Sequence, residues 1–207
     1  MEKHTYKKKG VSHNFMSYLI LNGMYEDDSF IPEINSIISE EFEKQNFTGE
    51  ILTLHKEDIK PCLGCFKCWI QTPGICIIDD YGREVARKMI QTDNIIYITP
   101  ITFGGYSPEL KKAIDRSIGL LSPFFRVYKD EIHHETRYDK YPNLIVIGTL
   151  EETNTEQEEI FRKLVKRNVL NNYAPKYSST IIYHFDDEQA IKKKIENGLS
   201  IIGDESV

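Results

Sequence analysis

Short runs of β-branched residues alternate along this chain with segments of helical period, and that alternation restricts the fold more than any other feature. The run Phe15 to Leu21 ends at Asn22-Gly23, after which Ile31, Ile34, Ile37, Ile38 and Phe42 recur at helical spacing. Glu50 to Leu54 reads as a second strand, and Asp79 or Asp80 caps a helix that carries Val85, Ala86, Met89 and Ile90 on one face. Asn94 to Thr99 is a third strand. Ser107-Pro108 then opens a helix through Leu110, Ala113, Ile114 and Ile118, with Ser107 accepting a backbone N–H and Pro108 placed where no N–H is needed. Leu144 to Ile147, Glu156 to Val169, Thr180 to Tyr183 and Asp187 to Leu199 extend the pattern to five strands and five helices. Right-handed crossovers then give a three-layer α/β sandwich, with a five-stranded parallel sheet covered on both faces and a strand order of 2-1-3-4-5.

A chain of 207 residues is long enough for one core of this kind and short for two. A single domain is expected over 14–207, preceded by a polar arm at 1–13 that contains Lys7-Lys8-Lys9. The net charge of −6 disfavours a nucleic-acid surface. No apolar run approaches the roughly 20 residues of a membrane helix and no signal peptide is visible, so a cytoplasmic protein is expected.

In open parallel sheets ligands sit outside the carboxyl ends of the strands, near the point where strand order reverses. Three loops therefore matter, those after Leu21, Thr99 and Ile147, and the last of these carries Thr149. The stretch Thr99 to Tyr106 offers glycines for close backbone approach and aromatic rings for a flat heterocycle; composition does not separate this from a glycine turn packing two aromatics for stability, which is the preferred reading of the residues taken alone. The first loop, Asn22 to Ser29, leads into a helix N-terminus, where backbone N–H groups can hold a phosphate. Its acids Glu26, Asp27 and Asp28 oppose that use and suit helix caps instead. The connection from Ser122 to Pro142 lacks clear periodicity and is long enough for a lid or interface element, or for a disordered insertion. His133 and His134 within it read as solvated or interface residues, and Lys111 and Asp115 as a solvated i,i+4 pair beside Arg116.

All four cysteines, Cys62, Cys65, Cys68 and Cys76, fall in one fifteen-residue window with the spacing C-x2-C-x2-C-x7-C. Thiolates so close on a turning backbone can converge on an iron-sulfur cluster or zinc, although zinc usually takes two separated C-x2-C pairs. Small thiols packed beneath the sheet edge beside Trp69 and Pro73-Gly74 are the plainer alternative.

The strings Cys62 to Trp69 (CLGCFKCW), Pro73 to Cys76 with Asp79-Asp80, and Thr99 to Arg116 (TPITFGGYSPELKKAIDR) resemble the flavodoxin-like NAD(P)H-dependent FMN reductases, and among them the iron-sulfur flavoproteins. The resemblance runs from about the first strand to Gly148. It implies a flavodoxin-like fold, homodimers or homotetramers, FMN at the strand ends and electrons drawn from NAD(P)H. It places Pro100, Ile101, Thr102, Phe103, Gly104 and Gly105 against the isoalloxazine ring, with Gly23, Ser29 and Thr149 as further cofactor contacts. It also implies that Cys62, Cys65, Cys68 and Cys76 can hold a 4Fe-4S cluster. The phosphate loop departs from the family, which usually has a small residue, a basic residue and Ser or Thr where this chain has Met24, Glu26 and Asp27; Ser29 alone is kept.

Three functions follow. The first is an FMN-dependent oxidoreductase passing electrons from NAD(P)H to a quinone, a small oxidant or an acceptor protein. The second is an iron-sulfur flavoprotein that carries single electrons through the cysteine loop. The third is a non-enzymatic binding protein that kept the fold and lost FMN.

Overall fold

In the computed structural model of the chain, residues 16–27 and 30–203 are described; the expected arm at 1–13, together with Phe15, Asp28 and Ser29, lies outside them. The first element is strand β1 (Ser17–Asn22), followed by helix α1 (Phe30–Lys44) and strand β2 (Thr48–Thr53). A short helix α2 (Lys67–Ile70) and helix α3 (Tyr81–Gln91) precede strand β3 (Asn94–Pro100) and helix α4 (Pro108–Arg116). Then come strands β4 (Leu121–Tyr128), β5 (Glu131–Thr136) and β6 (Asn143–Leu150), helix α5 (Thr155–Asn171), strand β7 (Tyr177–Tyr183) and helix α6 (Glu188–Gly203).

The order β2-β1-β3-β6-β7, parallel throughout, is the expected 2-1-3-4-5 arrangement with the hairpin strands set aside. The two-residue period of a strand sorts the apolar side chains into two cores. Leu19, Leu21, Ile95, Tyr97, Leu144 and Val146 face α3, α4 and α5 through Val85, Met89, Leu110, Ala113, Phe161 and Val165. Their neighbours Ile20, Ile96, Ile98, Ile145 and Ile147 face α1 and α6 through Ile34, Ile38, Phe42, Ile191 and Ile195. Helix starts follow the expected caps: Asp80 accepts from Gly82 N at 2.9 Å, and Ser107 Oγ accepts from Leu110 N at 3.2 Å.

The connection that lacks sequence periodicity is an ordered antiparallel hairpin, β4 with β5, outside the main sheet. Its inner side is held by polar contacts to α5. His133 lies between Asn171 Oδ1 at 3.1 Å and Glu131 at 3.2 Å, and Arg167 pairs with Glu131. The solvated reading of the histidines is therefore corrected: His133 is buried, and His134 stacks between Trp69 and Phe125. Among the described residues no helix is long and apolar enough to cross a membrane.

Gly148, near the carboxyl end of β6, sits where a Cβ would meet Ile101 and Phe161 side-chain atoms at 2.7 to 2.8 Å. Gly148→Ala overfills this corner and is expected to destabilise the protein by about 1–3 kcal/mol. A lowered urea midpoint with unchanged slope is the readout.

Candidate functional site

Two places in the fold gather chemistry. The first is a crevice of about 300 Å3 at the carboxyl ends of β1, β3 and β6. That volume lies at the small end of ligand pockets. Tyr25 from the first loop, Pro100, Ile101 and Thr102 from the second, and Thr149 from the third all line it. The Tyr25 hydroxyl stands 3.4 Å from Thr102 Oγ1, so the first two loops touch across the opening.

Each loop is shaped by close packing. Gly23 is buried, donates its N–H to Ile98 O at 2.8 Å, and lies so near α4 that a Cβ would meet Leu110 Cβ and Ser107 Oγ at 2.7 Å. Met24, fully buried, reaches Thr149, whose Oγ1 donates to its sulfur at 3.7 Å. In the second loop Phe103 and Gly104 both have positive φ, 51° and 75°, and Gly104 N donates to Gln157 Oε1 at 3.3 Å. The two aromatics there divide the roles left open by the sequence. Tyr106 is core, edge-on to Tyr97 and Phe161, with burial pushing its hydroxyl up to about 12; Phe103 is 92% exposed.

Of the residues expected at a cofactor, Pro100, Ile101, Thr102 and Thr149 therefore line one crevice. Gly104 and Gly105 shape its rim through the Thr102–Gly105 bridge, and Gly23 sits under the first loop. Ser29 lies outside the described residues. The open space suits a flat ring, whereas Phe103, although it follows Thr102, is not among the residues that line it. The charges do not favour a phosphate: Glu151 and Glu152 line the crevice, Glu26 and Asp27 are exposed beside it in sequence, and among the described lining residues there is no Lys or Arg. His184, stacked on Phe30 at the start of α1, also lines the crevice.

The second place is the cysteine segment. Cys62, Cys65, Cys68 and Cys76 all line one small apolar hollow of about 40 Å3, closed by Leu63, Phe66, Ile78, Ile118 and Arg116. Burial pushes the Cys68 thiol up, and the neighbouring Cys76, Cys62 and Cys65 add to the rise. Positive φ at Gly64 (62°) and Phe66 (54°) coils the backbone, and Gly64 N donates to Cys62 Sγ at 3.5 Å. Among the described residues no three His, Cys, Asp or Glu side chains stand close enough to hold a single metal ion. Four thiols lining one hollow are the donor set that a 4Fe-4S cluster takes, each thiolate binding a different iron. The donor set and the apolar walls fit such a group.

The segment is clamped by a pair that the sequence reading missed. Arg116 and Asp80 form an ion pair at 2.7 Å with both side chains fully buried. Arg116 also donates to Lys60 O at 2.8 Å and Ile78 O at 3.2 Å, the carbonyls on either side of the four cysteines. Burial alone would raise the Asp80 carboxyl, but Arg116 and the Lys60 and Gly82 N–H groups outweigh it and hold it below its usual range. A signal was present in the sequence: helical spacing from Leu110 and Ala113 carries Arg116 onto the buried face of α4, where an unpaired arginine is untenable.

Comparison with known proteins bears on the family and the fold. The sequence profile of the NADPH-dependent FMN reductases matches residues 16–126, more than half of the chain. The chain belongs to that family. An iron-sulfur flavoprotein of Methanocaldococcus jannaschii is 37% identical over 74 residues, covering 36% of this chain and 37% of the relative. An iron-sulfur flavoprotein of Methanosarcina thermophila is 33% identical over 75 residues, covering 36% and 38%. The matched stretch thus spans well under half the length of either relative. Two solved structures share the fold of this FMN reductase family member across nearly all of its length. An NAD(P)H:quinone oxidoreductase from Methanothermobacter marburgensis superposes with a TM-score of 0.65 at 14% identity over 89% of this chain and 94% of that one. An FMN-dependent NADH-azoreductase from Bacillus anthracis, in complex with FMN, gives 0.65 at 13% identity over 91% and 100%.

Asp80→Ala leaves Arg116 buried without its carboxylate and is expected to cost about 3–5 kcal/mol, read by denaturant unfolding at pH 7. Because the folded Asp80 pKa is depressed, its contribution is full above the unfolded value of about 3.9 and fades as pH falls through the folded value. The stability gap between the native protein and Asp80→Asn is therefore expected to narrow below about pH 4. A gap that stays constant into acid rules out this assignment.

Proposed function

We propose that this FMN reductase family member is an oxidoreductase that binds FMN in the crevice at the strand ends, takes reducing equivalents from NAD(P)H and passes them to a quinone, a small oxidant or an acceptor protein. The observation that carries the reading is the open crevice formed by Pro100 to Thr102 and Thr149 at the reversal of strand order. When bound, FMN supplies the exchange of two electrons with a nicotinamide, chemistry that belongs to the cofactor. The chain's part is positioning. Gly104, with its positive φ, lets the second loop turn, Gly105 closes that turn onto Thr102, and the Tyr25–Thr102 contact joins the first two loops at the crevice. No side chain is assigned an acid or base role.

The four cysteines support a second, compatible reading, an iron-sulfur flavoprotein. Cys62, Cys65, Cys68 and Cys76 would hold a 4Fe-4S cluster, which exchanges electrons singly. The shared hollow and the matched segments of two iron-sulfur flavoproteins favour it. Self-association as a homodimer or homotetramer is also proposed, since Phe125, Val127 and Ile132 leave one face of the hairpin apolar and exposed.

The acidic first loop makes FMN affinity the decisive measurement. Two exposed carboxylates near a dianionic phosphate each oppose it by about 1 kcal/mol in water, so Glu26→Gln with Asp27→Asn is expected to tighten FMN roughly tenfold or more. Added salt is expected to strengthen FMN binding by the native protein and to do so less for the double variant. A protein that stays colourless with excess FMN, in both forms, would favour the binding-protein alternative and end the redox reading. Iron and acid-labile sulfide in an anaerobic preparation test the cluster separately.

A further inference from the structure

We infer that Arg116 is a positioning and tuning residue of the cysteine hollow, its Nε–H donating to a sulfur of the iron-sulfur group proposed there. The inference rests on the iron-sulfur reading above and adds to it the means by which the fold sets the group's electron affinity.

The accounting of donors leads to it. Arg116 carries five N–H donors. Its two terminal nitrogens bond to Asp80 Oδ1 and Oδ2 and to the Lys60 and Ile78 carbonyls. Its Nε, fully buried, makes no hydrogen bond of ordinary length and angle among the described residues. An orphaned guanidinium donor at this depth is costly, and native proteins seldom leave one. Arg116 lines the hollow that the four cysteines share, and it is the sole cation among the residues lining it; the rest are thiols, Gly64 and apolar side chains. The Cys76 sulfur lines the same hollow, close enough to Arg116 to act as an acceptor toward it.

The chemistry of the hollow completes the argument. A four-thiolate cluster is anionic and becomes more so on reduction, so a fixed cation donating to one of its sulfurs favours the reduced form. The clamp also fixes where that cation sits. The same side chain that ties the carbonyls flanking the cysteines to Asp80 cannot swing away without releasing the segment.

Two nearby arginines provide controls. Arg83 Nε already donates to Cys76 O at 2.7 Å, and Arg137 Nε to Gly119 O at 2.8 Å, so neither has a free Nε donor. The experiment uses the full chain, reconstituted anaerobically with iron and sulfide and labelled with 15Nε-arginine. A nitrogen hyperfine coupling to the reduced cluster is expected in the native protein, retained in Arg83→Lys and in Arg137→Lys and lost in Arg116→Lys. In redox titration Arg116→Lys, and more so Arg116→Gln, are expected to show a lower midpoint potential. The labelled native protein and the two control variants decide the matter even if the Arg116 variants fail to fold. A loaded native protein with no arginine coupling, or a coupling and potential unchanged in Arg116→Lys, overturns the inference alone. A native protein that takes up neither iron nor sulfide overturns it together with the reading on which it rests.

Discussion

The buried pair of Arg116 with Asp80 ties together parts of the chain that the sheet alone leaves apart. The segment from Lys60 to Ile78 contains no strand and only one turn of helix, so almost none of its backbone is held by regular pairing. Asp80 accepts from Lys60 N at its start and caps α3 at its end, while Arg116 holds the Lys60 and Ile78 carbonyls from beneath. Such a pair gains little over an apolar filling of equal volume, because desolvation offsets its attraction. What it contributes is a fixed geometry for a loop whose side chains must meet.

The parallel core was legible because its three central strands are buried on both faces and read as unbroken apolar runs, Leu19 to Leu21, Ile95 to Ile98 and Leu144 to Ile147. The hairpin was not, and the reason is physical. Its outward residues, Phe125, Val127 and Ile132, are apolar, while on the other face His133 and Glu131 meet Asn171 and Arg167 of α5 and Arg126 stands over the Tyr173 ring just beyond that helix. The usual link between apolar character and the inner face is inverted there, so periodicity carried no usable message.

The cysteine site was half legible. Spacing announced that four thiols share a neighbourhood, since they lie within fifteen residues. Arg116 contributes from forty positions beyond Cys76, through a tertiary contact that no local pattern encodes. The strand-end crevice shows a similar division. Its backbone was foreseeable from Thr99 to Gly105, whereas the Tyr25–Thr102 contact and the acidic wall from Glu151 and Glu152 emerge only when the loops after β1, β3 and β6 are brought together.

Helix α4 relates the two places to each other. Its first turn is fixed at the crevice end, where Ser107 N donates to Thr99 Oγ1 at 2.8 Å and Leu110 packs against Gly23. Its last residue is Arg116, at the cysteine hollow. Nine residues of α-helix at 1.5 Å each span about 13 Å. The buried stripe of Leu110 and Ala113 seats that length against the sheet, so the crevice and the hollow stand at the two ends of one rigid strut. Any group bound at one end is therefore held at a set distance from the other by core packing, and not by the loops that line either site.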